Sequence, residues 1–178
     1  VSRVTRPFSY LVPLNAFAQE IEVCSAAGAR VAAIAKLPSG EGTPVDGVRT
    51  GPRQFQWKAG EPATLMYVEA VDGGDNRRKA EFRDRLVEVA EPFAQPREVA
   101  RLNYRYSRMV FARNGNALLT ESDRSTRQTR TWLLSLKPGV EKVTTADGRV
   151  WAVKMRGTAA AGGKAEQMVS DLASIAGV

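Results

Sequence analysis

Short apolar runs broken by turn dipeptides restrict the fold of this 178-residue chain most strongly. Asn114-Gly115 and Asp147-Gly148 each lie between two such runs, and pairs of this kind favour tight hairpins because both residues tolerate positive φ. The runs themselves have the length and residue types of β-strands. We predict strands at residues 8–12, 21–24, 30–35, 54–58, 63–71, 106–112, 117–121, 129–136, 142–145 and 150–155.

Two segments instead show the apolar spacing of an amphipathic helix. The first stripe consists of Phe82, Leu86, Val89 and Phe93, and the second of Ala165, Met168, Leu172 and Ile175. They predict helices at 77–93 and 164–175. Clustered strands with two such helices indicate an α+β fold, a central antiparallel sheet with amphipathic helices packed on it. We expect Phe82, Leu86, Met168 and Leu172 to be buried.

The chain length fits a single domain spanning residues 1–178, since domains usually run to about 100–200 residues. One long loop interrupts it at 38–53, where glycine and proline favour turns over regular structure. No apolar run approaches the ~20 residues that a membrane-spanning helix needs.

Several catalytic chemistries are excluded by composition. The chain has no histidine, so it cannot supply the imidazole of a Ser-His-Asp or Cys-His site. Cys24 is its single cysteine, which excludes an internal disulfide. The segment 157–164 has glycines and a lysine but not the spacing of a phosphate loop. We therefore predict a protein that is not an enzyme and that binds no metal or cofactor.

Arginine is concentrated in one third of the chain, which predicts a binding surface. Residues 100–156 hold twelve basic side chains against four acidic ones, within a total formal charge of +7. Arginine suits ion pairs with carboxylates or phosphates because its guanidinium is planar and always charged. We predict that seven arginines bind a partner: Arg105, Arg108, Arg124, Arg127 and Arg130, with Arg49 and Arg53 from the 38–53 loop. Strand ends and hairpins should point Arg105, Arg113, Arg127 and Arg130 outward. The alternative is that these charges serve only solubility.

Three segments and the order of elements resemble the PsbP family of extrinsic photosystem proteins. Phe8-Ser-Tyr-Leu-Val-Pro13 is similar to that family's opening strand, and 63–71 is similar to a later apolar strand. Asp147-Gly-Arg-Val-Trp-Ala-Val-Lys154 resembles its last hairpin, which a C-terminal helix follows. The resemblance covers residues 8–178 and implies a PsbP-like α/β/α sandwich. This chain departs from the family in having only seven residues before Phe8 and no counterpart of the histidines proposed there as metal ligands.

The resemblance implies a non-catalytic extrinsic subunit of a photosynthetic membrane complex, most directly photosystem II, where it would support the oxygen-evolving site. The implied partner is an acidic lumenal protein surface, and the implied location is the thylakoid lumen of the chloroplast, peripheral to the membrane. A photosystem assembly or binding protein with the same fold is one alternative. An RNA-binding component of a ribonucleoprotein, such as an organellar ribosome, is another, although alternating strand residues explain the arginine–aromatic stretches and make nucleic acid the less favoured partner.

Overall fold

The computed structural model describes residues 1–112, 116–135, 143–144 and 150–151, and in these ranges the chain forms antiparallel sheets. The first sheet contains β1 (Ser2–Val4), β2 (Gln19–Cys24) and β3 (Arg30–Leu37). The second contains β4 (Arg53–Trp57), β5 (Thr64–Ala70), β6 (Asp84–Ala90) and β7 (Arg97–Leu102). The third contains β8 (Arg105–Phe111), β9 (Asn116–Asp123) and β10 (Gln128–Ser135), and β11 (Val143–Thr144) pairs with β12 (Val150–Trp151).

The second sheet is buried on both faces. Met66 and Leu86 belong to an apolar cluster that includes Leu119 and Trp132 of the third sheet. Tyr67 and the other residues that alternate along these strands with Met66 and Leu86 belong to a second apolar cluster. That cluster also includes residues of the first sheet. Buried sheets of this kind show near-continuous apolar runs, because successive side chains enter different layers.

The three sheets repeat along the chain at a nearly constant interval. Their first strands begin at Ser2, Arg53 and Arg105, which are 51 and 52 residues apart. In every sheet each strand pairs with its neighbour in sequence. Antiparallel sheets built in this way and repeated at roughly 40–50 residues also occur as the blades of β-propellers. The second sheet has the four strands of such a blade, and the first and third sheets have three each among the described residues.

The α+β prediction is wrong for the described residues. Only two helices occur there, both 3-10 turns of three residues, at Leu14–Ala16 and Gly40–Gly42. The predicted helix at 77–93 contains β6 instead, and the α/β/α sandwich implied by the PsbP resemblance fails with it. Apolar residues at helical spacing also fit a strand that is buried on both faces. In this segment, hydrogen-bonded pairing with β5 and β7 makes the chain a strand rather than a helix.

The burial predicted from the two apolar stripes is confirmed at one position. Leu86 is fully buried, but on a strand. Phe82 is only half-buried, with the guanidinium of Arg101 lying 5.7 Å from the centre of its ring. Met168 and Leu172, with the helix predicted at 164–175, lie outside the described residues.

Most predicted strands are confirmed. The strands at 21–24, 30–35, 54–58, 63–71, 106–112, 117–121 and 129–136 coincide with β2, β3, β4, β5, β8, β9 and β10, and every end agrees within two residues. Those at 142–145 and 150–155 overlap β11 and β12. The strand predicted at 8–12 is wrong, because this segment is irregular and exposes Phe8, Tyr10 and Leu11. The two Asx-Gly turns lie outside the described residues, and a single domain over 1–178 stays a prediction.

Candidate functional site

An open cleft of about 580 Å³ lies where loops of the second and third sheets meet the long loop between the first and second. Its walls come from residues 45–48, 76–77, 104–105 and 122–125, together with Arg83. We call it the arginine cleft, because four arginines line it: Arg77, Arg83, Arg105 and Arg124. Its volume lies in the range of about 300–1,000 Å³ typical of small-molecule sites.

Arg105 is the most enclosed of these arginines, with a side chain only 10% exposed. Its Nη2 donates to Asp72 Oδ2 at 2.7 Å, and its Nη1 donates to Asp84 Oδ1 and to the Arg83 carbonyl, both at 2.9 Å. Its Nε donates to Asn76 Oδ1 at 2.7 Å. Four of its five N–H groups therefore bond to other parts of the polypeptide, and the second Nη2 hydrogen has no partner among the described residues.

Asp84 joins two sheets. Its carboxylate is fully buried and accepts hydrogen bonds from Arg53 Nη2 at 2.6 Å and from the Tyr106 N–H at 2.7 Å, in addition to the bond from Arg105. Asp84 and Arg53 lie on the second sheet, whereas Arg105 and Tyr106 begin the third. We call Arg53, Arg83, Arg105, Asp72 and Asp84 the buried network, since they form a connected set of ion pairs.

Asp72 completes the buried network below the cleft. Burial alone would raise the pKa of its carboxyl group. Hydrogen bonds from Arg83 at 2.9 Å, from Arg105 at 2.7 Å and from the Gly74 N–H at 3.0 Å outweigh that effect, so the pKa of Asp72 lies below its ordinary value. Asp72 is therefore held as a carboxylate that fixes both arginines.

The lowered pKa of Asp72 predicts acid sensitivity. A carboxyl group with a lower pKa in the folded state stabilises that state above its unfolded pKa of about 3.9, and the contribution is lost as the pH falls through the folded pKa. We expect the free energy of unfolding to fall below about pH 5. Asp72→Asn should show a shallower fall in urea titrations between pH 3 and pH 7. Glu41→Gln, at an exposed position, is the control, and equal slopes for wild type and Asp72→Asn would contradict the prediction.

A further buried carboxylate, Glu121, supports Tyr104, which lines the cleft. Glu121 is fully buried and accepts from the Tyr104 N–H and from Trp132 Nε1, each at 2.9 Å. The guanidinium of Arg130 lies 4.1 Å from the centre of the Tyr104 ring and donates to its hydroxyl at 2.7 Å. Cation–π contacts of this type stabilise by roughly 0.5–2 kcal/mol, so Arg130 fixes the ring position.

The rim of the cleft is polar and exposed. Arg124 Nη1 lies 3.0 Å from Asp46 Oδ1, with the two side chains 81% and 60% exposed. Asp123 bonds within its own turn, accepting from Ser125 and Thr126. Arg77 is exposed, and no carboxylate lies within ion-pair distance of it among the described residues.

The predicted partner-binding arginines do not share one environment. Arg105 is buried, so its expected outward orientation is wrong, and Arg130 turns onto Tyr104. Arg53 bonds to Asp84, and Arg49 donates to the carbonyls of Phe17 and Pro38, while burial lowers its pKa. Arg108, Arg124 and Arg127 are exposed. Of the seven, Arg105 and Arg124 line the cleft, and partner binding by any of them stays a prediction.

Sequence reasoning missed the acidic half of the site and Arg77. Asp72 and Asp75 each accept a backbone N–H group in a turn, from Gly74 and Arg77 respectively. The available signal was Asp84, a charged residue that begins the largely apolar strand β6. Such residues, when buried, are almost always paired.

Two other features are absent from the described residues. No group of three or more acidic or cysteine side chains is placed there to hold a metal ion. No helix in that part of the chain is long and apolar enough to cross a membrane.

Two plant proteins are similar to this chain. A probable glutamyl endopeptidase, chloroplastic, of Oryza sativa subsp. japonica is 36% identical over 140 residues, or 76% of this chain. The protein of the same name from Arabidopsis thaliana is 36% identical over 149 residues, or 81% of this chain. The chain spans about 15% of the length of each. No protein-family profile and no solved structure matches it.

Proposed function

We propose that this chain is a non-catalytic, polypeptide-recognising β-sheet module of a chloroplast protein related to glutamyl endopeptidases. The observation that carries the proposal is the 36% identity to two such proteins, over about three quarters of this chain. Both relatives are named chloroplastic, which supports a chloroplast location. The thylakoid lumen stays a prediction.

The residues support recognition rather than catalysis. The 178 residues contain no histidine, so a peptidase reaction that uses an imidazole base needs residues from outside them. Repeated antiparallel sheets hold loops on a rigid scaffold, and such loops commonly bind partners. The arginine cleft is formed by loops of this kind.

Photosystem docking and RNA binding remain the earlier predictions, and no observation on the described residues favours either. The arginines on which both predictions depended are divided between ion pairs inside the protein, as at Arg105, and exposed positions, as at Arg108, Arg124 and Arg127. The described residues therefore do not present all of these arginines on one surface.

An equilibrium binding measurement tests the proposal. The purified 178-residue chain is titrated into fluorescently labelled, reduced and alkylated α-lactalbumin, with native α-lactalbumin as the folded control. We expect saturable binding of the unfolded polypeptide, with a Kd in the micromolar range or about −8 kcal/mol, and no cleavage. Equal binding of both forms, absence of binding, or retention only by isolated thylakoid complexes or ribosomal RNA would contradict the proposal.

A further inference from the structure

We propose that the loop between β1 and β2 inserts an apolar tip, residues 8–14, into the headgroup region of an anionic lipid membrane. The arginine at the start of this loop would bind the lipid phosphates. The tip lies outside the arginine cleft, and the inference does not depend on the proposed polypeptide binding. It also differs from docking to a photosystem protein, because the contact is with lipid itself.

The tip exposes a group of bulky apolar side chains. More than half of the surface of each is open to solvent at Phe8, Tyr10, Leu11 and Leu14. Single exposed apolar residues are ordinary, whereas a contiguous group marks a surface that contacts a partner. The other large apolar side chains that are exposed in the described part of the chain are separated from one another in sequence. The tip is therefore the segment for which a partner has to be found.

The loop is held in a form that projects its tip away from the core. The Thr5 N–H donates to the Ala18 carbonyl at 2.8 Å, which closes the base of the loop beside β1 and β2. The ring of Phe8 stacks on that of Phe17, with the centroids 5.9 Å apart. Tyr10 is fully exposed as a result. A projecting apolar tip requires a partner that yields around it, and the headgroup region of a bilayer does so.

Positive charge beside the tip favours an anionic lipid surface. Arg6 is exposed, with its guanidinium 5.5 Å from the centre of the Phe8 ring, and Arg49 donates to the Phe17 carbonyl at 2.9 Å. Neither arginine has a carboxylate within ion-pair distance among the described residues. Residues 1–19 contain no aspartate or glutamate that would repel lipid phosphates. Arg6 can therefore bind a phosphate directly, and Arg49 adds to the positive potential.

The residues of the tip fit the headgroup region rather than the hydrocarbon core. Tyrosine is enriched at membrane–water interfaces, because its ring is apolar and its hydroxyl is polar. The backbone of residues 7–13 is irregular, so many of its N–H and C=O groups lack strand partners and would be costly in hydrocarbon. Insertion therefore stops where side chains such as Leu11 reach the acyl boundary while water still reaches the backbone.

The experiment measures binding of the full 178-residue chain to sedimented vesicles of phosphatidylcholine, alone or mixed equally with phosphatidylglycerol. We expect saturable binding to the mixed vesicles and at least about tenfold weaker binding to phosphatidylcholine alone. Arg6→Gln should weaken binding to the mixed vesicles about fivefold, and Leu11→Ser about tenfold, since burial of one leucine contributes roughly that factor. Val110→Ser, at an exposed apolar position on β8, is the matched control and should bind as wild type does.

Each other outcome overturns the inference. Absence of binding to the mixed vesicles would do so, as would equal binding to the two lipid compositions, and retained binding of unfolded α-lactalbumin would leave the proposed function intact in either case. A loss in Val110→Ser as large as that in Leu11→Ser would mean that apolar surface in general, not the tip, attracts the protein to lipid. If the vesicles are not bound but Leu11→Ser abolishes self-association or α-lactalbumin binding, the tip is assigned to a second copy of this chain or to polypeptide recognition.

Discussion

Asp84→Ala is expected to lower the free energy of unfolding by about 3–5 kcal/mol, because it leaves buried guanidinium groups without their counter-ion. Asp84 is fully buried and accepts hydrogen bonds from Arg53 at 2.6 Å, from Arg105 at 2.9 Å and from the Tyr106 N–H at 2.7 Å. The arginine side chains are 15% and 10% exposed, so water cannot fully replace the carboxylate. Urea unfolding followed by tryptophan fluorescence measures the change.

A matched ion pair in the same sheet provides the control. Glu69 on β5 pairs with Arg85 on β6 at 2.6 Å, but the arginine side chain is 44% exposed. Glu69→Ala should therefore cost only about 0–1 kcal/mol. Similar losses in the two variants would show that Asp84 does not carry the buried charge balance described above.

Leu86→Ala is expected to cost about 2–5 kcal/mol, through the lost transfer free energy and the cavity left behind. Leu86 is fully buried in the cluster between the second and third sheets, with Val68, Ala100 and Leu102 among its members. Val110→Ala on β8 is the control, because Val110 is 47% exposed and such surface changes usually stay within about 0.5 kcal/mol. A loss below 1 kcal/mol for Leu86→Ala would argue against close packing of these two sheets.

The sequence predicted strands well because their signals are local. Turn residues bound the apolar runs of β4, β5 and β8, and those strands lie within two residues of their predicted ends. The stripe that contains Leu86 and Val89 was misinterpreted because a strand buried on both faces has no alternation, and its residues also match a helical period. Only pairing with neighbouring strands distinguishes the two.

The repeat and the site are properties of three-dimensional structure. No segment of the sequence resembles another, yet strands beginning at Arg53 and Arg105 open successive sheets. Both arginines bind Asp84, which lies 31 and 21 residues away along the chain. The arginine content of the sequence therefore indicated which part of the chain carries the positive charge. It did not indicate which arginines are buried, because burial of a charged side chain depends on partners that are distant in sequence.

The position of Asp84 between two sheets has a consequence for how the molecule opens. Its carboxylate bonds to the first residue of β4 and to the first two residues of β8, at the place where the chain passes from one sheet to the next. In repeat architectures stability is a sum of unit terms and nearest-neighbour terms, and a strong neighbour term makes adjacent units unfold together. We therefore expect the second and third sheets to unfold as one cooperative unit, because separating the layers would expose an apolar interface and unpaired charges at the same moment.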